Sequence, residues 1–131
     1  QPLLGICLGM QLLFEFSEEG QVDCLGLLPG TVRSIPQKKG YSIPHMGWNQ
    51  LQILRSSSLT QGIPQKSYVY FVHSYYAELS ESCIASTDYH LDMAAIVGNS
   101  GVWGCQFHPE RSGSIGTKIL ENFCKNSERR S

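Results

Sequence analysis

The run Leu3-Leu4-Gly5-Ile6-Cys7-Leu8-Gly9-Met10-Gln11 constrains this chain more than any other stretch. Apolar residues lead into a cysteine with glycines two positions to either side, and an amphipathic segment starts at once. That is the pattern of a strand, a sharp turn and a helix, with one side chain presented at the tip of the turn. Glycine is required where such a turn crowds its neighbours. A thiol at the tip sits at a helix N-terminus, where the positive dipole end favours thiolate over thiol. Free cysteines are usually small core residues, and Cys24, Cys83, Cys105 and Cys124 read that way. The glycine-flanked turn sets Cys7 apart as a candidate nucleophile.

A base with its orienter follows far downstream, in Gln106-Phe107-His108-Pro109-Glu110. Pro109 restricts His108 to extended geometry, which steadies the ring. Glu110 is placed to select the imidazole tautomer. The expected arrangement has the Cys7 sulfur within hydrogen-bond reach of one ring nitrogen and Glu110 against the other. Gln11 lies four residues after Cys7, on the same helix face, so its amide can reach a ligand held at the thiol. His45, His73 and His90 lack metal-ligand spacing with any cysteine or acid pair, so no metal site is expected.

Composition narrows the class. The 131 residues carry a net charge of −1, which points to neither nucleic acid nor an anionic membrane surface. No apolar run approaches the length of a membrane span, and no signal segment opens the chain. Five cysteines, an odd number without a CxxC pair, argue against a disulfide framework and for a cytoplasmic setting.

Periodicity predicts a buried strand over 3–6 and a helix over 8–16, with Leu8, Leu12, Leu13 and Phe16 on one face. Residues 25–52 change texture: glycines, prolines and short β-rich runs at 31–35 and 48–53 suggest antiparallel pieces and loops. The strongest strand signal covers 67–78, and further strands are expected at 83–87 and 93–97. Gly98-Asn99-Ser100-Gly101 reads as a hairpin turn into 102–107. A last helix over 114–125 has its apolar stripe on Ile115, Ile119, Leu120, Phe123 and Cys124. The tail 126–131 is polar and reads as frayed.

Gly5-Ile6-Cys7-Leu8-Gly9-Met10-Gln11 taken with His108-Pro109-Glu110 resembles the class I, or triad, glutamine amidotransferases. Three further blocks resemble one branch of that family, the glutaminase subunits of histidine biosynthesis that work with a (β/α)8-barrel cyclase. They are Pro44-His45-Met46-Gly47-Trp48-Asn49, Phe71-Val72-His73-Ser74-Tyr75-Tyr76 and Gly104-Cys105-Gln106-Phe107. The resemblance runs from Gln1 to about Cys124.

It implies an α/β fold of the flavodoxin-like three-layer kind and one amidotransferase domain over 1–131. This would be the C-terminal portion of a longer chain, with N-terminal strands and a glycine-rich oxyanion loop upstream. It implies L-glutamine as substrate and hydrolysis through a thioester on Cys7, with His108 and Glu110 completing the triad. The Leu8 backbone N–H would be an oxyanion donor, and Gln11 with the main chain of Ser74 and Tyr75 would hold the glutamine. Met46, Trp48 and Asn49 would face the cyclase. So would Arg111, which stands where the family usually has Lys and keeps the charge but not the geometry. The resemblance implies no metal or organic cofactor. Two alternatives stay open: the glutaminase domain of another amidotransferase such as CTP synthase, and a catalytically incompetent partner-binding fragment.

Overall fold

A computed structural model describes residues 2–130, with side chains through residue 126. The strand expected at the start is β1 (Leu3–Ile6), and it pairs in parallel with β11 (Val102–Cys105), Ile6 opposite Cys105. β11 turns back antiparallel on β10 (Asp92–Asn99), which pairs antiparallel with β9 (Cys83–Asp88). The short β6 (Gln52–Ile53) closes the order β1-β11-β10-β9-β6. The α/β class is as expected, although this sheet is mixed, with one parallel pair and three antiparallel ones.

Two larger cores lie on opposite sides of this sheet, separated by side-chain alternation, and a smaller cluster of Ile35, Tyr76 and Met93 lies at one end of β10. On one side Trp103, Cys105 and Phe107 pack with Val69, Phe71 and Ile119. On the other, Met10, Leu13, Phe14 and Leu28 pack with Val32, Ala94 and Val97. Helix α2 (Gly113–Arg130) supplies Ile119, wholly buried, with Ile115 and Phe123 beside it. Burying one such isoleucine contributes roughly 1.5–3 kcal/mol. Asn122 on the same helix is also buried. Its amide donates to the carbonyls of Leu59 and Gln61, 2.9 Å each, which offsets the cost of burying it. No helix among the described residues is long and apolar enough to cross a membrane.

The predicted helix over 8–16 is much shorter. α1 spans Leu8–Gln11, a single turn, and Phe16–Ser17 is strand β2. The reason is competition for carbonyls. Those of Leu12, Leu13, Phe14 and Glu15 accept from the N–H groups of Leu25, Leu27, Leu28, Gly26 and Cys24 rather than from the next helical turn. Of the predicted stripe Leu13 is buried and Phe16 half-buried, whereas Leu8 and Leu12 are exposed and Phe14, outside the stripe, is buried instead.

The glycine- and proline-rich middle holds β3 (Val22–Asp23), β4 (Thr31–Ser34) and β5 (His45–Gln50). The strong signal over 67–78 is two strands, β7 (Tyr68–His73) and β8 (Tyr75–Ala77), broken at Ser74. β7 pairs with β5 in a two-stranded ribbon, while β8 pairs with β4 in a separate sheet of order β3-β2-β4-β8. The hairpin before β11 turns on Ser100 and Gly101, both at positive φ. Gly98 belongs instead to β10, where a Cβ would meet the Trp103 ring at 2.4 Å. α2 continues past the predicted end at 125 into the tail expected to fray; Ser131 lies outside the described residues. Cys83 and Cys105 are buried as expected, whereas Cys24 is half-buried and Cys124 exposed.

Candidate active site

Cys7 sits between β1 and α1 with φ 55° and ψ −111°. A non-glycine residue held there carries strain of order 1–3 kcal/mol, and the surroundings must fix it. They do so through the Cys7 N–H, which donates to the Cys105 carbonyl at 2.7 Å, extending the β1–β11 pairing into the turn. The two flanking glycines are not equivalent. A Cβ on Gly5 would lie 2.5 Å from the Gly9 carbonyl oxygen, a backbone atom that no rotamer can move aside. A Cβ on Gly9 would meet nothing within 4 Å.

The half-buried thiol points at the Val72 carbonyl, 3.8 Å away, and receives the Gln106 amide N–H, also at 3.8 Å. Its pKa is raised, contrary to the expectation from a helix N-terminus. Burial is the largest cause; the charges of Glu110 and Glu19 push the same way, against the Leu8 backbone N–H and Gln106. One helical turn carries too small a dipole to overturn this sum.

His108 is extended, φ −97° and ψ 102°, as the following proline requires. Its Nδ1 lies 3.1 Å from Glu110 Oε2, so the imidazole and the carboxylate meet as expected. No hydrogen bond joins the thiol to the imidazole: among the described residues the sulfur's hydrogen-bond partners are Val72 and Gln106. The histidine is clamped by its backbone. Its N–H donates to the Tyr70 carbonyl at 3.0 Å, and its carbonyl accepts from the Ser112 hydroxyl at 2.7 Å and the Arg111 N–H at 3.0 Å.

Cys7, Leu8, Gln11, Ser74 and Tyr75 line one cavity of about 220 Å³ with Glu19, Val72 and His73. Gln11 is buried, and its amide nitrogen donates to the Tyr75 carbonyl and to Gln106 Oε1, 2.9 Å each. Gln106 is fully buried, so Gln11 reaches the sulfur through it. Sequence reading quoted Gln106 without giving it a task; a lone amide inside the apolar run 102–107 was the available signal. Glu19, just beyond the helix predicted over 8–16, was given no role either, although this carboxylate borders the cavity. A larger groove of about 640 Å³ runs along residues 53–65, and no cysteine, histidine or acid lines it.

Behind Tyr75 lie two buried histidines that face each other across the β5–β7 ribbon. His45 Nδ1 and His73 Nε2 are 2.9 Å apart, and His73 Nδ1 donates to the Tyr75 carbonyl at 2.8 Å. Both pKa values are lowered to about 4, chiefly by burial, and for His45 also by His73. The unfolded chain therefore binds more protons between pH 6.5 and 4. Stability is fully present above pH 6.5 and is lost as pH falls toward 4, by up to about 3 kcal/mol for His73. Urea midpoints should drop between pH 6.5 and 5, and His73→Asn should flatten that part of the profile.

Met46, Trp48 and Arg111 share an exposed region. Met46 and Trp48 are exposed on β5, and Trp48 meets the Tyr70 ring edge-on at 5.8 Å. The Arg111 guanidinium lies over that ring, 4.3 Å from its centre. Asn49 is half-buried and turned inward, donating to His45 Nε2 at 3.2 Å and to the Asp88 carbonyl at 2.9 Å.

An α/β domain with a cysteine on a strained strand–helix turn, and a histidine–carboxylate pair on the neighbouring strand's extension, matches a known class. The family model for class-I glutamine amidotransferases matches residues 1–127, and the chain belongs to that family. It is 53% identical over 126 residues to the protein named imidazole glycerol phosphate synthase subunit HisH of Xanthomonas axonopodis pv. citri, covering 96% of this chain and 63% of that one. It is 48% identical over 123 residues to the subunit named HisH 2 of Legionella pneumophila strain Paris, covering 94% and 62%. The chain thus spans less than two thirds of the curated relatives it matches. A crystal structure of a glutamine amidotransferase from Thermotoga maritima shares the fold, with a TM-score of 0.60 at 20% identity over 98% of this chain and 49% of that one.

Proposed function

We propose that this chain carries the glutaminase site of an imidazole glycerol phosphate synthase subunit of the HisH type. Glutamine enters the cavity at Cys7, and the thiol attacks the side-chain carboxamide as His108 takes its proton. His108 then protonates the departing ammonia, leaving a glutamyl thioester on Cys7. Water activated by the same imidazole releases glutamate and restores the thiol. Glu110 holds the His108 ring through Nδ1, which leaves Nε2 for proton transfer.

The observation that carries this reading is the strained Cys7 turn opening into a cavity that also holds an amide and a carboxylate. The Leu8 N–H, the first after the nucleophile, is an oxyanion donor. Glu19 is the counter-charge for the α-ammonium of the amino acid. Because Tyr75's carbonyl already accepts from Gln11 and His73, the glutamine contacts of this loop fall to other main-chain groups of Ser74 and Tyr75.

The raised thiol pKa means that Cys7 rests protonated, so turnover depends on His108 closing on the sulfur when substrate binds. Ammonia passes to a (β/α)8-barrel cyclase docked over Met46, Trp48 and Arg111; Asn49, expected on the same face, is turned inward onto His45 and Asp88 and lies outside it. Five free thiols fit a cytoplasmic setting.

The test is glutamate release by the full-length protein with and without the cyclase. Release at background in both mixtures would overturn the reading. Glu19→Gln should raise the KM for glutamine roughly tenfold to a hundredfold with kcat largely kept, since a charge-assisted contact made equally in ground and transition states is lost.

A further inference from the structure

The chain Asn49–His45–His73–Tyr75 has one consistent set of proton positions, and both its ends are backbone carbonyls. At the outer end the Asn49 nitrogen faces the Asp88 carbonyl at 2.9 Å, so it is the amide's donor side that also faces His45 Nε2 at 3.2 Å. His45 Nε2 must therefore accept, and its Nδ1 carries the hydrogen directed at His73 Nε2, 2.9 Å away. At the inner end the Tyr75 carbonyl can only accept, so His73 carries its hydrogen on Nδ1, which agrees with the assignment from the other end. A second proton on either ring would set two donors against each other, in keeping with the low pKa of both. The His45 ring cannot swing away, because it is stacked between Phe71 at 4.8 Å and Tyr89 at 4.1 Å.

We infer that Asn49, His45 and His73 form a directional strut that fixes the Tyr75 carbonyl and so shapes the wall of the glutamine cavity, making the two histidines positioning residues. The inference rests on the glutaminase reading above. Tyr75 begins β8 just past the break at Ser74, where the chain leaves one sheet for another and no strand partner is shared across the break. Its carbonyl has two hydrogen bonds, one from Gln11, which adjoins the thiol through Gln106, and one from His73. Without His73 the peptide is held from one side only. Neither histidine needs to touch glutamine or exchange a proton for this to work.

The experiment uses the full-length protein with its cyclase and compares His73→Leu with His73→Asn, whose amide nitrogen can stand near the lost Nδ1. His73→Leu should raise the KM for glutamine about tenfold, as expected when one bond to a buried carbonyl is left unmade, with a smaller change in kcat. His73→Asn should recover to within roughly threefold of wild type if its amide restores that single bond. Thermal midpoint and cyclase affinity are measured alongside. Should His73→Leu fail to fold, Asn49→Ala loosens the outer end, and its KM should shift the same way at unchanged cyclase affinity. An unchanged KM in folded His73→Leu or Asn49→Ala, or an asparagine variant no better than leucine at equal stability, would overturn the strut. A wild-type protein without glutaminase activity would instead overturn the underlying function.

Discussion

On the proposed glutaminase reading, Cys7→Ala is expected to abolish glutamine-dependent synthesis in the complete subunit bound to a cyclase, and to leave ammonia-dependent synthesis nearly intact. Removing the nucleophile of a nucleophile–base pair costs on the order of 10⁶ in kcat, and no other thiol among the described residues lines the cavity. The cyclase needs no thiol once free ammonia is supplied. The substitution is clean because alanine at φ 55° is strained as cysteine is, so the turn is neither relieved nor broken. Cys7→Gly makes a useful companion: equally inactive, yet more stable than Cys7→Ala by about 1 kcal/mol, because glycine takes positive φ freely. The check is to measure both nitrogen sources in one preparation. Equal loss of the two activities would mean that Cys7 is a structural residue.

How much of this was legible beforehand depends on the range of the interaction. The turn at Cys7 could be read because glycine, cysteine and glycine at fixed spacing encode a local backbone shape. The meeting of His108 with Glu110 is likewise short-range, two residues apart and stiffened by Pro109. The helix over 8–16 was misread because its carbonyls are claimed by residues 24–28, a tertiary competition that apolar periodicity does not register. The break at Ser74 was hidden for a similar reason. Both halves of 67–78 are good strand sequence, and only their different partners, β5 and β4, separate them. Gln106 and the two buried histidines were read without a role because each finds its polar partners far along the chain, where spacing carries no information. The thiol's pKa was missed too, since burial and the distant charges of Glu110 and Glu19 outweigh a helix turn that proved too short.

The same separation of local from tertiary causes yields a second large effect, at a position with no chemistry of its own. Gly116 lies inside α2, where alanine would ordinarily be favoured by about 0.8–1 kcal/mol. Here a Cβ would stand 1.9 Å from the Pro109 carbonyl oxygen and 2.7 Å from its carbon, backbone atoms of the turn between His108 and Glu110. Helix and turn are already tied together, since Ser112 donates to the Pro109 carbonyl and Gly116 to the Ser112 carbonyl, so neither can retreat alone. Gly116→Ala should therefore destabilise the protein by roughly 1–3 kcal/mol or more, the range for overpacking, despite the gain in helix propensity. It should also shift His108, whose backbone is held by this turn. A displacement near 1 Å costs about 100-fold in turnover, so kcat should fall far more than KM rises. Ser114→Ala, on the exposed part of the same helix, serves as the control and should leave kcat and the melting midpoint close to wild type. A Gly116→Ala protein that melts higher than wild type and turns over normally would show that α2 does not hold His108 in place.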